Sequence, residues 1–209
     1  MPNDDIIRFN TEDAVKTGIV TPQQAKVFKL VSEDHPILKE VLPEFNFDNP
    51  PVNPNEFAST LVETCKLHRG FGLSANQCGF KHRVFVMGAE ENYVAFYNPR
   101  IVSYDGEVHL AEGCLSFPGL ALNVERHSWV EAEFINEECK VVQMRFEGLT
   151  ARCYQHELDH MNGIVYTVHM KPLALQMAIK KRSKLAEQRH KIQKMMINKV
   201  KEKFNVKRF

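Results

Sequence analysis

No stretch of the 209 residues approaches the roughly 20 consecutive apolar positions that a membrane-crossing helix needs. The first residues, Met1-Pro2-Asn3-Asp4-Asp5, lack the basic head and apolar body of a secretory leader, so a cytoplasmic location is expected. C-x-x-C is absent too. The five cysteines, Cys65, Cys78, Cys114, Cys139 and Cys153, are odd in number and scattered, which argues against a disulfide framework and against a four-thiolate zinc site. Reduced thiols are expected, and one is available as a ligand. Internal repeats and low-complexity tracts are also missing.

What is present suits one soluble globular domain, with 44% apolar and 25% charged residues. The net charge of +1 hides a segregation. Residues 171–209 hold thirteen Lys and Arg against only Glu187 and Glu202, an excess of +11, so the other 170 residues carry −10. The tail is a separate electrostatic object.

The pattern along the chain divides into three parts. Residues 1–34 are polar with scattered apolar positions and a helix start at Thr21-Pro22-Gln23-Gln24; they read as an N-terminal appendage. In 35–172, Phe57, Leu61 and Cys65 recur every four residues after the loop at Pro50 to Pro54, predicting a helix that Gly70 stops. Short β-type runs follow at 83–87, 93–97, 129–135 and 141–146, the last two joined by a turn at Asn136-Glu137-Glu138. A second helix is predicted from Thr150 to about Asn162, closed by Gly163. In 173–209, Leu175, Ile179, Leu185, Ile192 and Met196 fall at helical intervals in a long lysine-rich helix. The expected fold class is α+β, with mostly antiparallel sheets packed around the second helix and a long C-terminal helix.

That second helix carries His156-Glu157-Leu158-Asp159-His160. Histidines four apart on a helix stand one above the other, so both imidazoles can reach a single ion. Glu157 is rotated about 100° from His156 and borders such an ion without having to bind it, which is where a base acting on activated water belongs. A catalytic site needs a third protein ligand and one open position. The metzincin arrangement fails, because Gly163 fits but Tyr166 stands where histidine is required. His169 reads as a surface histidine, and the downstream glutamates Glu187 and Glu202 lie inside the basic tail. Cysteine is the better source. Cys153 shares the helical face of the two histidines, as a ligand or as a small apolar wall beside them. Cys114, in Glu112-Gly113-Cys114-Leu115-Ser116, sits beside a glycine that permits close backbone approach. Spacing and composition do not choose between the two cysteines.

Three segments, Gly70-Phe71-Gly72-Leu73-Ser74-Ala75-Asn76-Gln77, Glu112-Gly113-Cys114-Leu115-Ser116 and Gln155-His156-Glu157-Leu158-Asp159-His160, together resemble the signature motifs of peptide deformylases, in that family's order. Family-like sequence runs from about His35 to residue 172. One departure is Ser74, where the family usually has alanine; it bears on local packing more than on chemistry. The resemblance implies that Cys114, His156 and His160 hold one divalent ion, with iron(II) favoured and zinc, nickel or cobalt able to replace it. Glu157 is then the general base for water whose pKa the ion lowers from about 16 towards about 7. The Gln77 side-chain amide and the Leu115 backbone N–H steady the oxyanion. Phe71, Leu110, Leu149 and Cys153 would line a pocket for methionine, and the backbone at Gly70, Phe71, Gly72 and Gly113 would pair with an extended peptide. Glu112 and Arg126 are expected to form a supporting ion pair.

The implied substrates are N-formylmethionyl nascent peptides. For the basic tail the same resemblance points to ribosomal RNA, through phosphate contacts. A membrane surface is the weaker competitor, and no DNA partner is expected.

Overall fold

The computed structural model describes residues 26–203; the helix start expected at Thr21 and the last six residues lie outside them. Helix α1 (Pro54–Leu67) begins where Asn53 Oδ1 accepts from Glu56 N–H (3.0 Å) and Pro54 fills the first turn. The left-handed residue after it is Arg69 (φ 56°), not Gly70 as the sequence suggested. Gly70 is needed for space: a Cβ there would lie 2.8 Å from Leu115 Cδ1 and 3.0 Å from Cys65 Sγ.

Seven strands follow: β1 (Gly72–Ser74), β2 (Val84–Ala89), β3 (Asn92–Asp105), β4 (Val108–Glu112), β5 (Leu122–Arg126), β6 (Trp129–Ile135) and β7 (Val141–Glu147). They form a five-stranded antiparallel sheet in the order β1-β2-β3-β6-β7 and a separate β4-β5 ladder. Strand β3 is far longer than the run at 93–97. Asn98-Pro99 reads as an end, but Asn98 takes a left-handed conformation (φ 49°), the register shifts, and pairing with β6 resumes at Arg100. Strands β1, β4 and β5 gave no clear pattern in the sequence.

Alternation along β2 and β3 sends side chains to opposite faces. Phe85 and Phe96 pack with Phe134, Phe146, Tyr154, Leu158 and Met161 beneath helix α2 (Gly148–Met161). Val84, Val86, Ala95 and Tyr97 pack on the other face against Phe57, Leu61 and Cys65 of α1. A third cluster joins Cys114, Leu120, Leu122 and Val124 to Leu38 and Tyr166. The sheet thus holds α2 from below while the third cluster fixes the loop after β4 beside it.

Residues 26–34, placed by sequence with the N-terminal appendage, touch the body through the half-buried Phe28, Leu30 and Val31. The Phe28 ring lies 5.4 Å from Phe57 and 4.6 Å from Phe80, and Val31 N–H donates to Gln77 O (2.9 Å). Helix α3 (Pro172–Lys203) touches the third cluster through Leu175 and Ala178, and Arg182 pairs with Glu33 (2.7 and 3.0 Å). Beyond Arg182 its apolar positions Leu185, Ile192 and Met196 are exposed. No helix among the described residues is long and apolar enough to cross a membrane.

Candidate active site

His156, Glu157 and His160 project from one buried face of α2, and Cys114 comes to meet them from the loop that follows β4. The ligand atoms of Cys114, His156 and His160 all lie within 4.8 Å of one another, and theirs is the one such cluster among the described residues. Cys114 Sγ stands 3.3 Å from His160 Nε2. His156 Nδ1 is engaged by Glu112 Oε1 (3.4 Å), which leaves Nε2 for an ion. A soft thiolate with two imidazoles suits a first-row divalent metal, so the residues present fit the group that the sequence implies. Cys153 does not join the cluster. Its sulfur packs beside Gly72 and its thiol is raised well above the usual range, by burial and then by the Glu157 charge.

Around the three ligands Glu112, Arg126, Asp159 and Arg152 form one connected network of charges, while buried His160 Nδ1 has no hydrogen-bond partner among the described residues. Arg126 donates to Glu112 Oε1 (2.8 Å) and to Asp159 Oδ2 (2.6 Å), so the expected Glu112 pair is present and extends to α2. Buried Arg152 donates to Val108 O (2.5 Å), Val124 O (2.9 Å) and Glu112 Oε2 (3.3 Å), tying α2 to the β4-β5 ladder. Burial would raise the Glu112 carboxyl, but His156 and Arg126 outweigh it and hold the group down at about 2. Burial likewise opposes charge on His156, yet Cys114 and Glu112 hold it up at about 10 in the metal-free protein. Burial pushes Glu157 up and His160 well down. His169 stays outside, 2.9 Å from Asp159 Oδ2.

The first motif supplies the opposite wall. Gln77 Oε1 accepts from Ser74 N–H (2.8 Å), which turns Nε2 towards Cys114 Sγ (3.3 Å) and Ser116 Oγ (3.1 Å). Gly72 leaves room for the carboxylate, since a Cβ there would lie 2.5 Å from Glu157 Oε1 and 2.9 Å from Cys153 Sγ and would displace them. Ser74, undervalued as a packing change, donates from Oγ to Glu157 Oε2 (2.6 Å). Arg152, Asp159 and Ser116 were also missed. Arg152 carried a signal, a charge four residues before His156 on the same helical face.

Strand β1 is an edge of the sheet, and Gly113 is exposed beside Cys114. Of the residues expected around methionine, Phe71 and Leu149 are 72% and 74% exposed and Leu110 42%, while Cys153 is half-buried. A cavity of about 280 Å³ lies elsewhere, among Glu125, His127, Gln155, Asp159 and His169.

Mixed thiolate and imidazole ligands, an adjacent buried carboxylate and no fourth protein ligand among the described residues distinguish this centre from a closed structural site. Fold and site together define a metal-dependent hydrolase. The family model described as polypeptide deformylase matches residues 27–176, and the chain belongs to the peptide deformylase family. Its sequence is 40% identical over 142 residues to a peptide deformylase of Desulforudis audaxviator, covering 67% of this chain and 91% of that protein. The fold is similar to a peptide deformylase from Legionella pneumophila, with a TM-score of 0.71 at 29% identity over 78% of this chain and 98% of that one. A class I type b peptide deformylase from Acinetobacter baumannii, solved with Met-Ala-Ser bound, matches with a TM-score of 0.66 at 26% identity, over 70% of this chain and all of that one. The activity is removal of the N-formyl group from nascent peptides.

Proposed function

We propose that this deformylase hydrolyses the formyl amide of an initiator methionine with Glu157 as proton acceptor and donor, and with the Gln77 amide and Leu115 N–H as oxyanion donors. A divalent ion held by Cys114, His156 and His160 would supply Lewis acidity, making a water nucleophilic near neutral pH. Glu157 takes the proton that water loses as its oxygen bonds to the formyl carbon. It returns that proton to the amine nitrogen as the C–N bond breaks, releasing formate and a free N-terminus. Gln77 Nε2 is positioned for the developing oxyanion because Ser74 N–H fixes its carbonyl end. The edge of β1 and the backbone at Gly113 bind the peptide as an added strand, with Phe71, Leu110, Leu149 and Cys153 around the methionine. Bound Met-Ala-Ser in the Acinetobacter relative supports a tripeptide that begins with methionine as ligand.

The observation that carries this reading is the buried Glu157 carboxylate beside the Cys114-His156-His160 cluster. An anaerobic assay of formate release from a formyl-methionyl peptide, run with metal analysis and repeated with Glu157→Ala, tests it. Wild-type protein that holds one metal per chain yet releases no formate would refute it. Iron(II) is the proposed working ion, and the anaerobic preparation should hold iron in place of the zinc, nickel or cobalt that the same donors accept.

We further propose a catalytic unit over 35–172, with 26–34 laid against it, and a basic arm over 173–209. The arm binds ribosomal RNA in the cytoplasm, where formylated chains emerge. Ribosome sedimentation at low salt should retain the full chain and lose one cut within the arm; equal retention of both refutes the assignment.

A further inference from the structure

A proton acceptor has to stand within hydrogen-bond reach of the proton it takes, and a glutamate side chain reaches its place through several rotatable bonds. Two contacts settle where the Glu157 carboxylate lies. Its Oε2 accepts from Ser74 Oγ at 2.6 Å, with both residues buried. Its Oε1 occupies the space over Gly72 that a Cβ would fill. Among the described residues no other side chain donates to this carboxylate. Ser74 is itself fixed, since β1 pairs with β2 and sets Ser74 opposite Phe85. The backbone N–H of the same residue orients Gln77, so one strand position addresses the proton acceptor through Oγ and the oxyanion donor through N.

We infer that Ser74 is a positioning residue for hydrolysis: its hydroxyl clamps Oε2 of Glu157 and leaves Oε1, over Gly72 at the peptide-binding edge, as the oxygen that takes and returns the proton. The inference rests on the deformylase mechanism proposed above and deepens it. Without the hydroxyl, no described side chain of this protein donates to the carboxylate, and its two oxygens are free to exchange places.

Ser74→Ala tests this, because alanine keeps the N–H that orients Gln77 and removes the hydroxyl, which besides clamping Oε2 also accepts from Gln77 N–H and lies 3.4 Å from Glu157 O. In the metal-loaded enzyme kcat for a formyl-methionyl tripeptide should fall about five- to tenfold, while KM stays within about twofold. A second readout needs neither metal nor turnover. The infrared difference between wild type and Glu157→Gln isolates the Glu157 carboxylate stretches in the metal-free protein at mildly alkaline pH, and in the Ser74→Ala background the antisymmetric band should shift. An unmoved band, or an unchanged kcat, overturns the inference. Absence of formate release from wild type would instead overturn the underlying mechanism.

Discussion

Helices α2 and α3 are neighbours in the chain and are held in place by different physics. Of the fourteen residues of α2, nine are buried, among them Arg152, Gln155, His156, Glu157 and His160. Helix α3 is 32 residues long, and among its described side chains only Leu175, Ala178 and Arg182 are half-buried on the body. Most buried polar groups of α2 have partners, His160 Nδ1 being an exception, because an unanswered buried charge costs far more than it does in water. On α3 water answers the lysines, and the helix depends on propensity, length and a few contacts near its start. A substitution in α2 therefore reports on chemistry and folding together, whereas one in the outer part of α3 leaves both alone.

The sharpest test of that contrast is Glu157→Gln. Turnover should fall about 10²- to 10⁴-fold, while metal content is retained because Glu157 lies outside the ligand cluster. Formate release with metal analysis checks both halves, and a loss of metal would break the separation.

Glu112→Gln should weaken metal retention about 10- to 100-fold, measured by competition with a chelator, since Glu112 orients His156. It should also flatten the acid limb of stability. The native carboxyl is held at about 2 against an ordinary 4.5. Its stabilisation is complete above about 4.5 and is lost as pH falls through about 2, where the native group at last takes the proton. Denaturant midpoints at several pH values across that window should slope less in the variant.

Gly72→Ala comes next. Overpacking against Glu157 Oε1 should cost about 1–3 kcal/mol in chemical denaturation, with kcat falling as the carboxylate is displaced. The smallest effect is expected in α3. A chain ending after Ser183 keeps the Leu175, Ala178 and Arg182 contacts and should retain tripeptide hydrolysis within about twofold. Ending after Lys171 removes those contacts and should lower Tm by about 2–4 °C. Equal melting of the two truncated chains would show that the inner part of α3 contributes no more than the outer part.

The same contrast explains what could be read from sequence. The face of α2 that carries His156 and His160 was legible because i, i+4 spacing on a helix is a local pattern, and β6 because it alternates strictly between buried and half-buried positions. Strand β4 escaped because its side chains are almost all exposed, and β1 because three residues beginning with glycine carry no period. Pro99 concealed the continuation of β3. Within the site, Ser74 meets Glu157 across 83 positions of sequence. Arg152 is defined by three carbonyls of another ladder, at Val108, Leu110 and Val124. Contacts of that kind exist only once the fold has formed, so no window along the chain reveals them. Ser74 was visible as a departure from the family pattern, but its importance lies in where the hydroxyl points.

Helix α3 has a mechanical consequence as well. At 1.5 Å per residue its 32 residues make a rod about 48 Å long, whose described contacts with the body, at Leu175, Ala178 and Arg182, lie near its start. A flexible tether of equal length would fix only how far the catalytic centre can wander from whatever holds the far end. Under the attachment proposed above, a rod would fix bearing too, so that the edge of β1 would keep one direction relative to the anchor. Peptide ends arriving within that sector would then meet a raised local concentration of enzyme, and ends arriving elsewhere would gain nothing.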